Sequence, residues 1–264
     1  QINFSLHKVD ICDKKGLDLV FKKNKIDSVV HLAARAGVTP SIVKPREYFE
    51  TNVLGTLNVL EAMRQYKIRR LILASSSTVY GLDAKTPFCE KDPAQKPSSP
   101  YGASKIAAES IVFTYSHLYD IDTAVLRFFN VYGPRTRPDM ALYKFTEAIV
   151  NDKPLIKYRG MKRDFTYIDD CIDAVCLLMG SDFNEPINIG SEEIISIKHL
   201  WEIVISIDGR NQTLQHTEMP KNFKGVNGRN SDNTLIESVL NWKPKYTLRQ
   251  GMEKTYTWIK SQYV

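Results

Sequence analysis

RRLILASSS (Arg69–Ser77) decides how this chain is read. Leu71 to Ala74 form an apolar run of strand length that stops abruptly at Ser75, Ser76 and Ser77. A short run without a polar side reads as a strand buried on both faces of a parallel sheet. DSVVHLAA (Asp27–Ala34) has the same form and also ends in small residues. TAVLRFFNVYG (Thr123–Gly133) reads as a third strand and EPINIGS (Glu185–Ser191) as a fourth. Between them lie helical patterns over Pro45–Gln65, Pro100–Tyr119, Met140–Val150 and Asp169–Met179. Strand alternating with helix predicts an α/β fold, a Rossmann-type doubly wound parallel sheet with helices on both faces. Right-handed crossovers bring the strand C-termini to one edge, where open α/β sheets bind ligands. The serines sit at such an edge.

After Pro134 the alternation loosens, and a terminal amphipathic helix runs over Leu248–Gln262. The expected division is a dinucleotide-binding domain over 1–133, with 166–191 returning to it, and a smaller C-terminal substrate-binding lobe from 134–165 and 192–264. A dinucleotide fold opens with a strand, a glycine-rich turn and a helix N-terminus that holds the pyrophosphate. No GxxGxxG occurs in these 264 residues, and QINFSLHKVDICD reads as a later strand of such a fold. The expectation is that one N-terminal βαβ unit with its glycine-rich loop, roughly 40 to 60 residues, is absent from this sequence.

Composition narrows the partners. The chain is 43% hydrophobic and 25% charged, an ordinary globular balance. Its longest apolar runs, such as AVCLLM (Ala174–Met179), are too short to span a bilayer, so no membrane partner is expected. Four cysteines without a CxxC read as reduced cytoplasmic thiols. The five histidines have no metal-ligand spacing, so no metal is expected. Asn3 and Asn211 match glycosylation acceptor triplets, which read as chance. The net charge of +6 is dispersed, and no aromatic-interleaved basic stripe points to nucleic acid. A modest positive balance suits a small anionic substrate.

The chemistry-bearing pattern is SSSTVYG (Ser75–Gly81) followed by SPYGASK (Ser99–Lys105). Pro100 suits the first turn of a helix and Ser99 its N-cap. Tyr101 and Lys105 then share one face, one turn apart. Tyrosine is a poor base at its ordinary pKa of about 10. A nearby ammonium stabilises the phenolate, which can then take an alcohol proton near neutral pH. A hydroxyl of Ser76, Ser77 or Thr78 would hold the substrate oxygen. YxxxK alone recurs by chance; joined to a hydroxyl cluster at a strand end it is specific.

On VDICD, HLAARAGV, NVLGTLNVLEA, LILASSSTVYG, YGASKIAAE, LRFFNVYGPRTRPDMALYKF, MKRDFTYIDD and NIGS the chain resembles the extended short-chain dehydrogenase/reductases, among them the NAD-dependent nucleotide-sugar epimerases. The middle is most similar to UDP-glucuronate 4-epimerases, and the C-terminal segment from Gly225 to the GDP-mannose 3,5-epimerases. The resemblance implies NAD as cofactor and a nucleotide-diphosphate sugar as substrate. It makes Tyr101 the catalytic base and Lys105 its partner, also touching the nicotinamide ribose. Ser76, Ser77 and Thr78 would line the sugar 4-position. Asp10 and Ile11 match the pair that meets the adenine, and Ala33 and Ala34 the small residues along the pyrophosphate and ribose. Leu32, Asn52, Ala74 and Phe128 complete the implied cofactor pocket. Asn130 would lie near the sugar and its phosphates. Arg163 and Arg229 would clamp the diphosphate, and Asp232 would sit near a ribose hydroxyl. The Pro45–Gln65 and Tyr101 helices would form a homodimer interface.

The resemblance also sorts the reactions. The 4,6-dehydratases of this superfamily carry Asp-Glu where this chain has Ser77-Thr78. The 3,5-epimerases place cysteine at Thr78 and a lysine after YGP, and this chain has neither. C4 oxidation and re-reduction remain. Arg137 matches an arginine facing the uronate carboxylate, which points to UDP-glucuronate. Thr39 and Asn130 depart from the usual arginine and threonine of those epimerases, so a neutral UDP-hexose or a GDP-sugar stays open. Without the glycine-rich unit the alternative is a non-catalytic sugar-nucleotide-binding protein.

Overall fold

The computed structural model describes residues 4–153, 156–158, 162–209, 215–217 and 228–263. Asn3 and Asn211 lie outside them. The described chain forms two compact units. The first comprises Gln1–Asp83, Pro93–Arg127 and Leu178–Ile187; the second comprises Ala84–Asp92, Phe128–Leu177 and Asn188–Val264. Residues 166–177, read from sequence with the first half, cluster with the second unit.

The first unit is the α/β layer. It opens with helix α1 (Lys14–Lys23), which the sequence reading did not anticipate. The Asp13 side chain caps it by accepting from the Gly16 amide at 3.1 Å. Strand β1 (Ser28–His31) follows, then α2 (Val38–Val43) and α3 (Pro45–Phe49). The predicted helix over Pro45–Gln65 is not continuous. A π-helical stretch, Glu50–Gly55, separates α3 from α4 (Thr56–Tyr66). Strand β2 (Arg70–Ser76) passes into a 3₁₀ turn, Ser77–Tyr80, and α5 spans Pro100–Tyr119. The Ser99 hydroxyl accepts from the Gly102 amide at 3.2 Å, with Pro100 in the first turn, as its sequence signals. Strands β3 (Asp122–Phe128) and β7 (Pro186–Ile189) complete a four-stranded sheet of order β1-β2-β3-β7. β1 and β2 run parallel, Ser28 opposite Arg70 and His31 opposite Leu73. Leu17, Phe21, Leu60, Met63, Leu71, Leu73, Val112 and Val125 pack as one buried cluster. Each such side chain contributes roughly 1.5–3 kcal/mol by leaving water.

The predicted strand Thr123–Gly133 is also interrupted. β3 ends at Phe128, and β4 (Asn130–Tyr132) belongs to a different sheet, of order β4-β6-β8. β4 is parallel to β6 (Lys162–Tyr167), which is antiparallel to β8 (Ile194–Ser196). A continuous apolar run carries no mark of which sheet each half joins, so sequence alone read one strand. Around this sheet stand α6 (Ala141–Val150), α8 (Ile197–Asp208) and α10 (Leu248–Lys260). Leu142, Phe145, Ile149, Leu200, Trp201, Met252 and Ile259 form their common core. Helices α7 (Ile168–Met179) and α9 (Thr234–Leu240) and a parallel pair, β5 (Ile156–Tyr158) with β9 (Gln215–Thr217), complete the described elements. No described helix is long and apolar enough to cross a membrane.

Candidate functional site

In the first unit, β2 ends where its apolar run ends, and Ser75, Ser76, Ser77 and Thr78 are all buried. Ser76 caps the turn that follows, its hydroxyl accepting from the Thr78 amide at 3.2 Å. Thr78 Oγ1 is buried and has no hydrogen-bond partner among the described residues. An idealised Cβ at Gly102 would lie 2.9 Å from the Thr78 carbonyl oxygen. Glycine in YGASK therefore lets the first turn of α5 settle on the end of β2. Tyr101, part-buried, opens that helix with its ring edge-on to Tyr48, centroids 6.1 Å apart.

One turn on, Lys105 is buried and its Nζ donates to the Ala74 carbonyl at 2.7 Å. Burial holds this ammonium down at a pKa of about 8, against the opposing charge of Glu109. Glu109, another turn along, accepts from the Ser75 hydroxyl. Its carboxylate also receives Arg127 of β3, through Nε at 3.2 Å and Nη2 at 2.8 Å. Both side chains of that pair are 5% exposed, so the ion pair is buried. The Arg127 guanidinium lies 4.9 Å from the Tyr80 ring centroid. Sequence reading passed over Glu109 and Arg127, and gave Ser75 no role of its own within the hydroxyl cluster. The signals were present in a charge inside the apolar run TAVLRFF and an acid four residues after Lys105.

A second polar chain runs under the same helix. Asn52, in the π-helical stretch, donates to Ser104 Oγ at 2.9 Å and to the Arg35 carbonyl at 3.0 Å, and accepts from the Arg35 amide at 2.7 Å. Ser104 in turn donates to the Tyr101 carbonyl at 2.8 Å. Thr56 donates to the Asn52 carbonyl at 2.7 Å and lies 3.0 Å from His31 Nε2. Burial, with the charge of Lys105, pushes His31 down to about 4. A histidine whose folded pKa lies below its unfolded 6.5 gives stability that is intact above 6.5 and lost as pH falls to 4. The loss amounts to about 3 kcal/mol at 1.36 kcal/mol per unit. Urea unfolding at pH 7 and pH 4.5 should show this drop, and His31→Gln should flatten it.

The cofactor candidates at the rim differ in exposure. Asp10 holds its loop by accepting from the Cys12 amide at 2.8 Å, and Asn58 donates to the Ile11 carbonyl at 3.0 Å. Gly55 makes room for Ile11, whose Cδ1 an added Cβ would meet at 2.6 Å. Leu32 and Ala33 are exposed beyond the end of β1, whereas Ala34, Ala74 and Phe128 are part-buried.

The substrate candidates lie in the second unit. Asn130 begins β4 opposite Phe165, part-buried. Arg163 lies on β6, donates to the Lys162 carbonyl at 2.7 Å, and is held below its ordinary pKa by burial. Arg229 is buried, and its carbonyl accepts from the Asp164 amide at 3.1 Å. Asp232 accepts from the amide of Thr234, the first residue of α9, at 2.9 Å. Arg137 is exposed and pairs with Asp139 two residues on, at 3.2 Å. Asp164, the neighbour of Arg163 on β6, is wholly buried and was given no role by the sequence reading. It accepts from the amides and hydroxyls of Ser191 and Ser231 and from the Glu192 amide, at 2.7 to 3.2 Å.

The described residues contain no group of three or more His, Cys, Asp or Glu that could hold a metal ion. The family model for GDP-mannose 4,6 dehydratase matches residues 1–255. UDP-glucuronate 4-epimerase of Thermodesulfobacterium geofontis is 37% identical over 262 residues, covering 98% of this chain and 80% of that protein. UDP-glucose 4-epimerase of Thermotoga maritima, solved with UDP-glucose, superposes with a TM-score of 0.93 at 28% identity, over 100% of this chain and 87% of that one. UDP-glucuronic acid 4-epimerase of Bacillus cereus, solved with UDP-glucuronic acid and NAD, gives 0.88 at 33% identity, over 97% and 81%. The chain therefore belongs to the GDP-mannose 4,6 dehydratase family, within the extended short-chain dehydrogenase/reductases.

Proposed function

We propose that the protein is an NAD-dependent nucleotide-sugar 4-epimerase acting on UDP-glucuronate. The observation that carries this reading is the end of β2. Tyr101 and Lys105 stand one turn apart beside a buried Thr78 hydroxyl that has no partner among the described residues. The residues suit the cofactor. An ammonium donates three hydrogen bonds, and Lys105 has one among the described residues, so it can also hold ribose hydroxyls. Asp10, Ile11, Leu32, Ala33, Ala34, Asn52, Ala74 and Phe128 would hold the remainder.

NAD, when bound, supplies the acceptor and then the donor of the hydride at C4. The Tyr101 phenolate takes the 4-hydroxyl proton while Lys105 stabilises its charge. Thr78 and Ser76 hold the sugar oxygen, and Tyr101 returns the proton after the 4-keto sugar has presented its other face. Arg163 and Arg229 bind the diphosphate, Asn130 the sugar end and Asp232 the ribose. Arginine suits phosphate because its fork donates two parallel bonds. Loss of the Lys105 proton above about 8 should give the rate an alkaline limb.

In this reading the protein is a cytoplasmic homodimer. All four cysteines are unpaired in disulfide terms, which suits a reducing compartment. Exposed Phe49, Leu54 and Leu118 on the α3-to-α4 and α5 segments would meet a second copy. Arg137 supports a second substrate. The Asp139 carboxylate beside its guanidinium would repel a uronate at this exposed position, which favours a neutral UDP-hexose.

The test is proton NMR of the full-length protein with UDP-glucuronate and, separately, UDP-glucose, plus assay of NAD released on denaturation. Appearance of the C4 epimer of UDP-glucuronate is expected. Turnover of UDP-glucose alone would select the second reading, and turnover of neither would overturn both. Tyr101→Phe should lower kcat by about 10²- to 10⁴-fold. Its ring contact with Tyr48 survives, so the melting temperature should stay near wild type.

A further inference from the structure

We infer that the buried Glu109–Arg127 pair is a positioning device that fixes the charge state of Lys105. Glu109 lies on the same helical face as Lys105, one turn later, because residues four apart on α5 are neighbours. The same carboxylate takes Ser75 Oγ, next to Ala74, whose carbonyl receives Lys105 Nζ. The Lys105 ammonium and the Glu109 carboxylate are thus tied to adjacent residues of one strand end. Arg127 grips that carboxylate through two nitrogens, and Tyr80 covers the guanidinium.

The charge balance follows from these contacts. Lys105 is buried, and loss of solvent favours its neutral form. Glu109 opposes this, and Arg127 tempers Glu109. Among the described residues, the other titratable groups beside these are His31 on β1, Tyr80 of the 3₁₀ turn and Tyr101, one turn before Lys105 on α5. His31 stays neutral at working pH, being held near 4 by burial and Lys105. Hence the pair is the adjustable charge beneath the lysine. A packing element alone would need neither a carboxylate nor a guanidinium here, since apolar residues of similar volume often replace such pairs without loss.

This inference rests on the proposed role of Lys105 beside Tyr101. Glu109→Gln leaves Arg127 uncompensated and should move the alkaline limb of kcat to lower pH by about one unit. Arg127→Met leaves Glu109 facing Lys105 alone and should move it to higher pH. A purely structural role cannot give shifts of opposite sign. The double variant Glu109→Gln/Arg127→Met restores local neutrality and should return the limb to near its wild-type position. It also serves if either single variant fails to fold. A readout without turnover separates this inference from the proposed function. The alkaline rise in stability that Lys105 causes should begin at lower pH in Glu109→Gln and at higher pH in Arg127→Met. Shifts in the same direction, or none in either readout, would overturn the inference. Opposed shifts in stability with no epimerase activity would keep it and sink the enzymatic reading.

Discussion

Asp164→Ala is expected to cost about 3–5 kcal/mol of stability, the scale for removing one partner from a buried charged network. The reasoning is an inventory of donors. The two Asp164 oxygens accept from the Ser191 amide and hydroxyl, the Glu192 amide, and the Ser231 amide and hydroxyl. Alanine leaves all five without that acceptor in a fully buried place. A buried donor left unsatisfied costs about 1–3 kcal/mol. The neighbouring backbone cannot yield easily. A Cβ on Gly190 would fall 1.9 Å from Ser231 Oγ and 2.7 Å from Asp164 Oδ2, so the segments are already in closest approach. Asp164→Asn should be nearly as damaging, because its amide would point two donors at donors. Urea unfolding followed by tryptophan fluorescence is the measurement. A midpoint unchanged in both variants would refute the hub.

Lys105→Met should abolish turnover while leaving the protein at least as stable as wild type at pH 7. The two effects have one cause. The lysine is buried with a folded pKa of about 8, below the 10.5 of the free side chain. The unfolded chain therefore binds more protons between those values, and stability rises with pH across that window. The rise is about 3 kcal/mol at 1.36 kcal/mol per unit. Below pH 8 the wild type carries the full penalty of a buried ammonium; methionine carries none. The lost bond to the Ala74 carbonyl takes back about 1 kcal/mol. Stability measured at pH 7, 8.5 and 10 should rise in wild type relative to Lys105→Met. Equal slopes would contradict the burial argument. Retained turnover would remove Lys105 from the site. In the proposed reading, the position gives up stability for a charge that the chemistry uses.

Much of this was legible in the residues. The run Leu71–Ala74 and its serines located a strand end, and Ser99-Pro100 located a helix start, because both signals are local. Helix α1 was missed although Asp13 marks its N-cap and Leu17, Val20 and Phe21 recur at helical spacing in KKGLDLVFKK. The interruptions within Pro45–Gln65 and Thr123–Gly133 leave no local trace. A π-helical stretch of six residues is too short to alter the apparent period of the helices on either side, and a change of sheet at Phe129 keeps strand spacing. Asp164 was hidden for a different reason: its partners come from 27 and 67 residues along the chain. Its identity as a hub exists only once those segments meet.

The interleaving of the two units bears on synthesis at the ribosome. The chain changes unit after Asp83, Asp92, Arg127, Leu177 and Ile187. No contiguous fragment holds all of one unit and none of the other. The first unit lacks its last piece until Ile187 has been translated, and the second takes in the rest of the chain. Domains generally fold as units, N-terminal first, as they emerge. Here the first unit, with Leu71 and Leu73 already made, is complete only after residues translated more than a hundred positions later. A premature stop codon before Ile187 would leave both units incomplete.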